Sequence, residues 1–327
     1  MHIPDNYLSP ATCAVLGGAM VPVWAVSARR ARAEVSRARL PLLGIGAAFS
    51  FLVMMFNIPL PGGTTGHAVG GTLIAALLGP WAACIAVSVA LLIQALLFGD
   101  GGLLAFGANA FNMAFVIPFA GHFLFRLVRG RTTGGRAEVL GLGAAAYAAL
   151  NLAALCAAVE FGLQPALAHD AAGLPLYCPY PLAVSVPAML LPHLAVAGFV
   201  EAFFTVGVFA FIRRVAPDTL HEGGRMQPLY GLLGVLACLS PLGLLASGTA
   251  WGEWGVDEIQ AVVTNGRALG FVPSGMANGF HLKALMPDYA VHGLPEWTGY
   301  VLSAIAGTAL LVIIFKLLGL RAGSAEA

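Results

Sequence analysis

Apolar runs recur along the chain, each closed by glycine, proline or charged residues. Runs of about 18 or more apolar residues read as membrane helices. The pattern predicts spans near 7–27, 40–58, 81–98, 103–127, 139–161, 182–212, 229–246 and 297–318. A further run, 68–78, is too short to cross as a lone helix. At a rise of about 1.5 Å per residue it covers roughly half of a ~30 Å hydrocarbon core. The glycine-rich stretch before it is therefore expected to dip inward, since irregular backbone is tolerated where it is buried or lines a cavity. The expected fold is an all-α integral membrane protein of about nine transmembrane helices.

Composition agrees with a bilayer and excludes an ordinary soluble domain. Hydrophobic residues make up 59% of the chain and charged residues 9%, against about 25% charged in soluble chains. The net charge of +1 points to no nucleic-acid partner. The positions of the charges carry more information than their sum. Arg29, Arg30, Arg32, Arg37 and Arg39 follow the first run, Arg126, Arg129, Arg131 and Arg136 follow the fifth, and Arg213-Arg214 close the seventh. By the positive-inside rule these connections are cytoplasmic. Of the 16 Lys and Arg residues, only Arg267 and Lys283 then face outward. This places the N-terminus outside, the C-terminus inside, and His67 on the same outer side as Met1. The linker 215–228, which concentrates proline, glycine and charge, is the expected boundary between 1–214 and a two-span segment, 229–327, with an outer loop.

Within the spans, Ala14, Gly17 and Gly18 permit close helix approach, and Pro187 or Pro192 is expected to kink the long seventh span. Cys13, Cys84, Cys156 and Cys238 read as small packing residues, and Cys178 lies in a polar loop, so no disulfide or thiolate site is expected.

No P-loop, HExxH or GxSxG motif is present. Any solute moved against a gradient therefore draws its energy from another chain or an ion gradient. The distinctive chemistry lies at Met1-His2. Met1 is expected to be the mature start, and His2 is too large for methionine aminopeptidase, so a free amine is expected there. The amine and the His2 amide nitrogen close a five-membered ring on a metal, and the amide and His2 Nδ1 close a six-membered one. Three nitrogens in a plane leave a fourth position, for which His67 on the loop Gly62-Gly63-Thr64-Thr65-Gly66-His67 is the candidate. Planar all-nitrogen coordination suits Ni(II) or Cu(II). The spacing alone does not bring His67 to His2; a frayed terminus and a solvated loop histidine would look the same.

Asn109 and Asn112, three residues apart, share a helix face, and Asn57 ends the second span near His67. Gln94, His122, Asn151, His193 and Glu201 are the other polar groups in apolar context. An acid at membrane depth is costly, which marks Glu201 as a coupling residue or a partner for His193; His122 and His193 are expected to make interhelical hydrogen bonds. Glu253, Asp257, Glu258, Asp288 and Glu296 in the outer loop read as solvated. Trp251-Gly252-Glu253-Trp254 suits the membrane interface.

The opening Met1-His2-Ile3-Pro4-Asp5-Asn6-Tyr7-Leu8-Ser9-Pro10 resembles the CbiM/NikM family, the substrate-binding membrane components of energy-coupling factor transporters for cobalt and nickel. Pro61 to His67, Gln94 to Gly102 and Gly107 to Met113 carry the likeness further, over the first 214 residues. The last hundred residues resemble the companion subunit CbiN/NikN through Ser240-Pro241-Leu242-Gly243 and Pro287-Asp288-Tyr289. The resemblance implies a metal held by the terminal amine and amide of Met1-His2, the His2 imidazole and His67. Asn57, Thr64, Thr65, Asn109 and Asn112 are the candidates to hydrogen-bond around those ligands. The resemblance also implies Ni(II) or Co(II) as transported substrate with no catalytic cofactor, a transmembrane coupling subunit and two cytoplasmic ATPases as partners, and a multi-pass position in the bacterial cell membrane. Asn6 stands where the family carries glycine; asparagine tolerates positive φ, so the ligand scheme is unaffected. The alternatives are a cobalt-specific subunit feeding cobalamin synthesis, an intramembrane enzyme using Glu201 and His193, and a purely structural partner, which would need no defined N-terminus.

Overall fold

The computed structural model describes residues 1–129, 135–220, 224–246, 248–264 and 267–324. Arg131 and part of the 215–228 linker lie outside them. Nine main helices follow one another: α1 (Pro10–Glu34), α2 (Arg37–Met54), α3 (Gly71–Leu78), α4 (Pro80–Phe98), α5 (Phe106–Arg129), α6 (Gly135–Leu167), α7 (Leu182–Val215), α8 (Gln227–Leu245) and α9 (Glu296–Ser324). Among the described residues eight of these are long and apolar enough to cross a membrane, and α3, with eight residues, is as short as its sequence requires.

Helices α2 and α4 form the centre. Helix α1 packs on α4 and α5, α6 on α5 and α7, and α8 and α9 on α2. Close approach is built from small residues, as expected in lipid: a Cβ on Gly107 would collide with the backbone of Gly17. Gly18, also expected at a contact, faces open space. Helix α7 keeps its helical course through Pro187 and Pro192 by relaxing into a π-turn at His193–Ala197. A π-turn accommodates an extra residue where a regular ladder is interrupted.

The two ends of the bundle differ in chemistry. At one end the Arg39 guanidinium donates to the Leu77 carbonyl at the tip of α3, and Glu138 pairs with Arg129 and Arg213, each at 3.2 Å. His122 Nδ1 meets the Ala75 carbonyl at 3.2 Å, the interhelical bond expected of it. At the other end lie the first nine residues, which the spans enclose. Ser9 caps α1 through its hydroxyl, which accepts from Thr12 N, so the first helix starts later than the apolar pattern suggests. Met1, Ile3, Tyr7 and Leu8 are each at most 4% exposed. This terminus is a core element.

Between α2 and α3 the chain forms a short hairpin, β1 (Ile58–Leu60) with β2 (Thr64–Gly66), antiparallel with Ile58 opposite Gly66. Gly62 and Gly63 turn it with φ of 94° and 76°, values that a side chain would strain. The hairpin delivers His67 into the bundle, where it is 4% exposed.

Candidate metal site

His2 and His67 meet. Their ring centroids are 4.7 Å apart and their planes 28° from parallel. His67 Nδ1 lies 3.1 Å from the Ala68 carbonyl, so Nδ1 carries the proton and Nε2 presents a lone pair. His2 Nδ1 lies 3.0 Å from Asp100 Oδ1. Nε2 of both rings is buried without a hydrogen-bond partner. Buried nitrogens are almost always paired, so two orphans on stacked rings mark a place for a ligand. Burial holds the His67 imidazole well below its ordinary pKa, and the nearby terminal amine and His2 add to this. The ring is neutral and able to coordinate.

The backbone of the terminus is held in register around these rings. Asn109 grips both sides of Ile3: Ile3 N donates to Asn109 Oδ1 at 2.7 Å, and Asn109 Nδ2 donates to the Ile3 carbonyl at 3.0 Å. That carbonyl also accepts from Gly102 N at 2.7 Å. Asp5 accepts from Leu104 N at 2.7 Å, and Ser9 N donates to Gln164 at 2.9 Å. No described group hydrogen-bonds the His2 amide.

The other candidates separate. Asn57 and Thr65 line a cavity of about 400 Å³ with His2 and His67. Thr64 is committed to the C-terminal segment, accepting from Trp251 N at 2.7 Å. Asn112 bonds Glu160 of α6 at 2.8 Å and does not line that cavity. Glu201 and His193 do not meet in any described contact. His193 Nδ1 turns to the Met189 carbonyl of its own helix at 2.7 Å, rather than to another helix. Glu201 accepts from Val69 N at 2.6 Å and from Gly70 N at 3.0 Å, beside the His67 loop. The acid–base pair of an intramembrane enzyme is not assembled.

Several residues around the site escaped the sequence reading. Glu253 was expected to be solvated; its Oε1 lies 3.0 Å from the Met1 amine. Trp251 and Trp254, expected at the membrane interface, flank Glu253 in sequence and pack on Tyr180 at 5.5 and 5.9 Å. Asp100 accepts from the Tyr289 hydroxyl and from Gln94 Nε2. Burial alone would raise the Asp100 pKa, but His2 and the Tyr289 hydroxyl hold it well below the carboxylate range. Asp288, in the same cavity wall, is raised by burial and by the charges of Asp100 and Glu258. The cavity is thus an anionic vestibule leading to the His2 and His67 rings. Its flanking tryptophans and the Gly-Asp-Gly-Gly turn were the available signals. Glu160 and Gln164, polar within α6, were also overlooked.

Among the described residues no three His, Cys, Asp or Glu side chains are grouped to hold a metal.

Comparison with known proteins identifies the family. The family described as "Cobalt uptake substrate-specific transmembrane region" matches residues 2–219, and the PDGLE domain matches residues 226–322. The chain is 54% identical over 326 residues to the "Probable fused nickel transport protein LarMN" of Lactiplantibacillus plantarum, covering 98% of both chains. It is 50% identical to the "Fused nickel transport protein NikMN" of Rhodobacter capsulatus, again over 98% of both. A crystal structure of a truncated transition metal transporter, 53% identical, superposes with a TM-score of 0.62 and covers 65% of this chain and 99% of that one. The chain therefore belongs to the cobalt-uptake substrate-specific transmembrane family, as a multi-pass membrane component of metal uptake and not an enzyme, with a PDGLE segment fused behind it.

Proposed function

We propose that the chain is the substrate-capture subunit of an ATP-driven energy-coupling factor transporter that imports Ni(II) or Co(II). The observation that carries this reading is the meeting of the His2 ring with His67, whose buried Nε2 has no partner. The metal is held by the Met1 amine, the His2 amide, the His2 imidazole and His67. His2 Nδ1 faces Asp100, whereas the six-membered chelate needs Nδ1 on the metal. Loading therefore turns the His2 ring about its Cβ–Cγ bond and releases Asp100. Coordination also needs the lone pair of the amine, so it displaces the ion pair with Glu253. Metal binding at such a site releases protons.

Four planar nitrogens favour nickel, as do the names of the two fused relatives. The family description favours cobalt, the second reading. The N-terminus and the vestibule face outward, and the arginine-rich end with the C-terminus faces the cytoplasm. The chain lacks a P-loop, so ATP hydrolysis belongs to two partner ATPases joined through a transmembrane coupling subunit. Purified full-length protein is expected to hold one Ni(II) per chain with the visible absorption of a planar four-nitrogen complex. Substoichiometric metal, or the spectrum of a six-coordinate oxygen-rich ion, would overturn the reading.

A further inference from the structure

Glu201 is fully buried on α7, in a helix that crosses the membrane. An acid at this depth is expensive, and neither metal coordination nor the vestibule uses it. Its carboxylate accepts from the amides of Val69 and Gly70, the two residues that precede α3. Gly70 has φ +75°, and a Cβ there would lie 2.6 Å from the Phe49 ring. Consecutive amides around a left-handed residue form a small anion-binding nest, and the first turn of a helix adds its own partial positive charge.

The peptide that donates Val69 N to Glu201 is the same peptide whose carbonyl, Ala68 O, meets His67 Nδ1. One peptide unit thus joins the carboxylate to the imidazole. Metal-binding histidines commonly donate their second N–H to a carboxylate, which fixes the tautomer and makes the other nitrogen a better ligand. Here the carboxylate acts at one remove, and hydrogen bonds in such a chain polarise one another.

We propose that Glu201 is the positioning residue for His67, setting through the 68–69 peptide both the direction of the ring and the tautomer that exposes Nε2. This rests on the metal site proposed above. It also gives α7 a direct hold on the loop that carries a ligand. Removing the carboxylate leaves two buried N–H groups without partners and frees the loop. Glu201→Gln keeps the size and one acceptor oxygen but loses the charge.

The test combines two readouts on purified, monodisperse full-length protein. In metal-free protein labelled with ¹⁵N-histidine, Glu201→Gln should shift the His67 ring nitrogens and reduce the Nδ1–H tautomer, leaving exposed His169 unchanged. With Ni(II), Glu201→Gln should bind several-fold more weakly, and Glu201→Ala about 10- to 100-fold more weakly. The Glu201→Ala spectrum should match that of His67→Ala, and the double variant should be no weaker than His67→Ala alone. A purely structural role would lower the amount of folded protein and leave the spectrum of the bound fraction as in the parent. If Glu201→Ala does not fold, Glu201→Gln decides. Parent-like ring nitrogens and parent-like affinity in Glu201→Gln overturn the proposal. A parent protein that lacks the four-nitrogen spectrum, with ring nitrogens still responsive to Glu201→Gln, would fault the metal reading and not this one.

Discussion

The Met1 amine and the Glu253 carboxylate form an ion pair of 3.0 Å across 252 residues of chain. The PDGLE segment therefore reaches the first atom of the metal-uptake segment. Glu253, expected from the sequence to be solvated, instead meets the terminus. Asn6 makes a second link: with φ 66° it pairs with both the N–H and the carbonyl of Phe280, at 2.9 and 2.8 Å. The change from glycine adds a clamp between the fused segments.

An amine cannot hold a proton for Glu253 and a lone pair for a metal at the same time. Glu253→Gln is therefore expected to raise apparent Ni(II) affinity about two- to fivefold, the scale of a partly exposed ion pair. Competition against a chelator measures this. A tenfold loss would instead make Glu253 a ligand.

Asn109 holds the Ile3 peptide from both sides. Asn109→Ala leaves a buried donor unpaired, a cost of about 1–3 kcal/mol, and lets the terminus move. Metal affinity should fall by at least about tenfold, on the scale of losing a hydrogen-bond partner that orients a ligand, while the helical content by circular dichroism stays at the parent level.

Asp100 has a carboxyl held below its ordinary pKa, so folding favours its ionised form. Its contribution to stability is complete above the unfolded value of about 3.9 and is lost as pH falls through the lower, folded value. The difference in melting temperature between the parent and Asp100→Asn should shrink as pH falls below about 4. Thermal melts on either side of that pH measure it. A difference that grows on acidification would contradict the assignment.

The arginine-rich end should face the cytoplasm. A reporter fused after Ala327 is expected inside, and one within the 246–297 loop outside. The reverse result for either breaks the orientation.

The bundle was legible because lipid leaves few options: apolar runs must be helices, and 68–78 could only be a partial crossing. Met1-His2 could be singled out because its candidate chemistry is confined to two adjacent residues; that His67 reaches His2 could not. Asn109 could be singled out as a polar group in an apolar run, although its target, Ile3, lies 106 residues away. Glu253 and Tyr289 were not legible. A carboxylate in a polar loop looks solvated until folding supplies the amine, and Tyr289 meets Asp100 across 189 residues. Glu201 stood out by its cost, but its partners are backbone amides, which no side-chain pattern reveals.

The central claim is that the terminal amine, the His2 amide and the His2 imidazole act together with His67. Inserting one leucine between Met1 and His2 keeps every side chain and the net charge, and leucine is too large to permit removal of Met1. The lengthened terminus can surround Ni(II) with an amine, two amides and the imidazole, which displaces His67. Ni(II) uptake by cells carrying the complete transporter, with the insertion verified by mass spectrometry, tests this directly. The account expects uptake to be lost, as in His67→Ala, and to remain at the parent level in His169→Ala. Parent-level uptake by the insertion variant would contradict it.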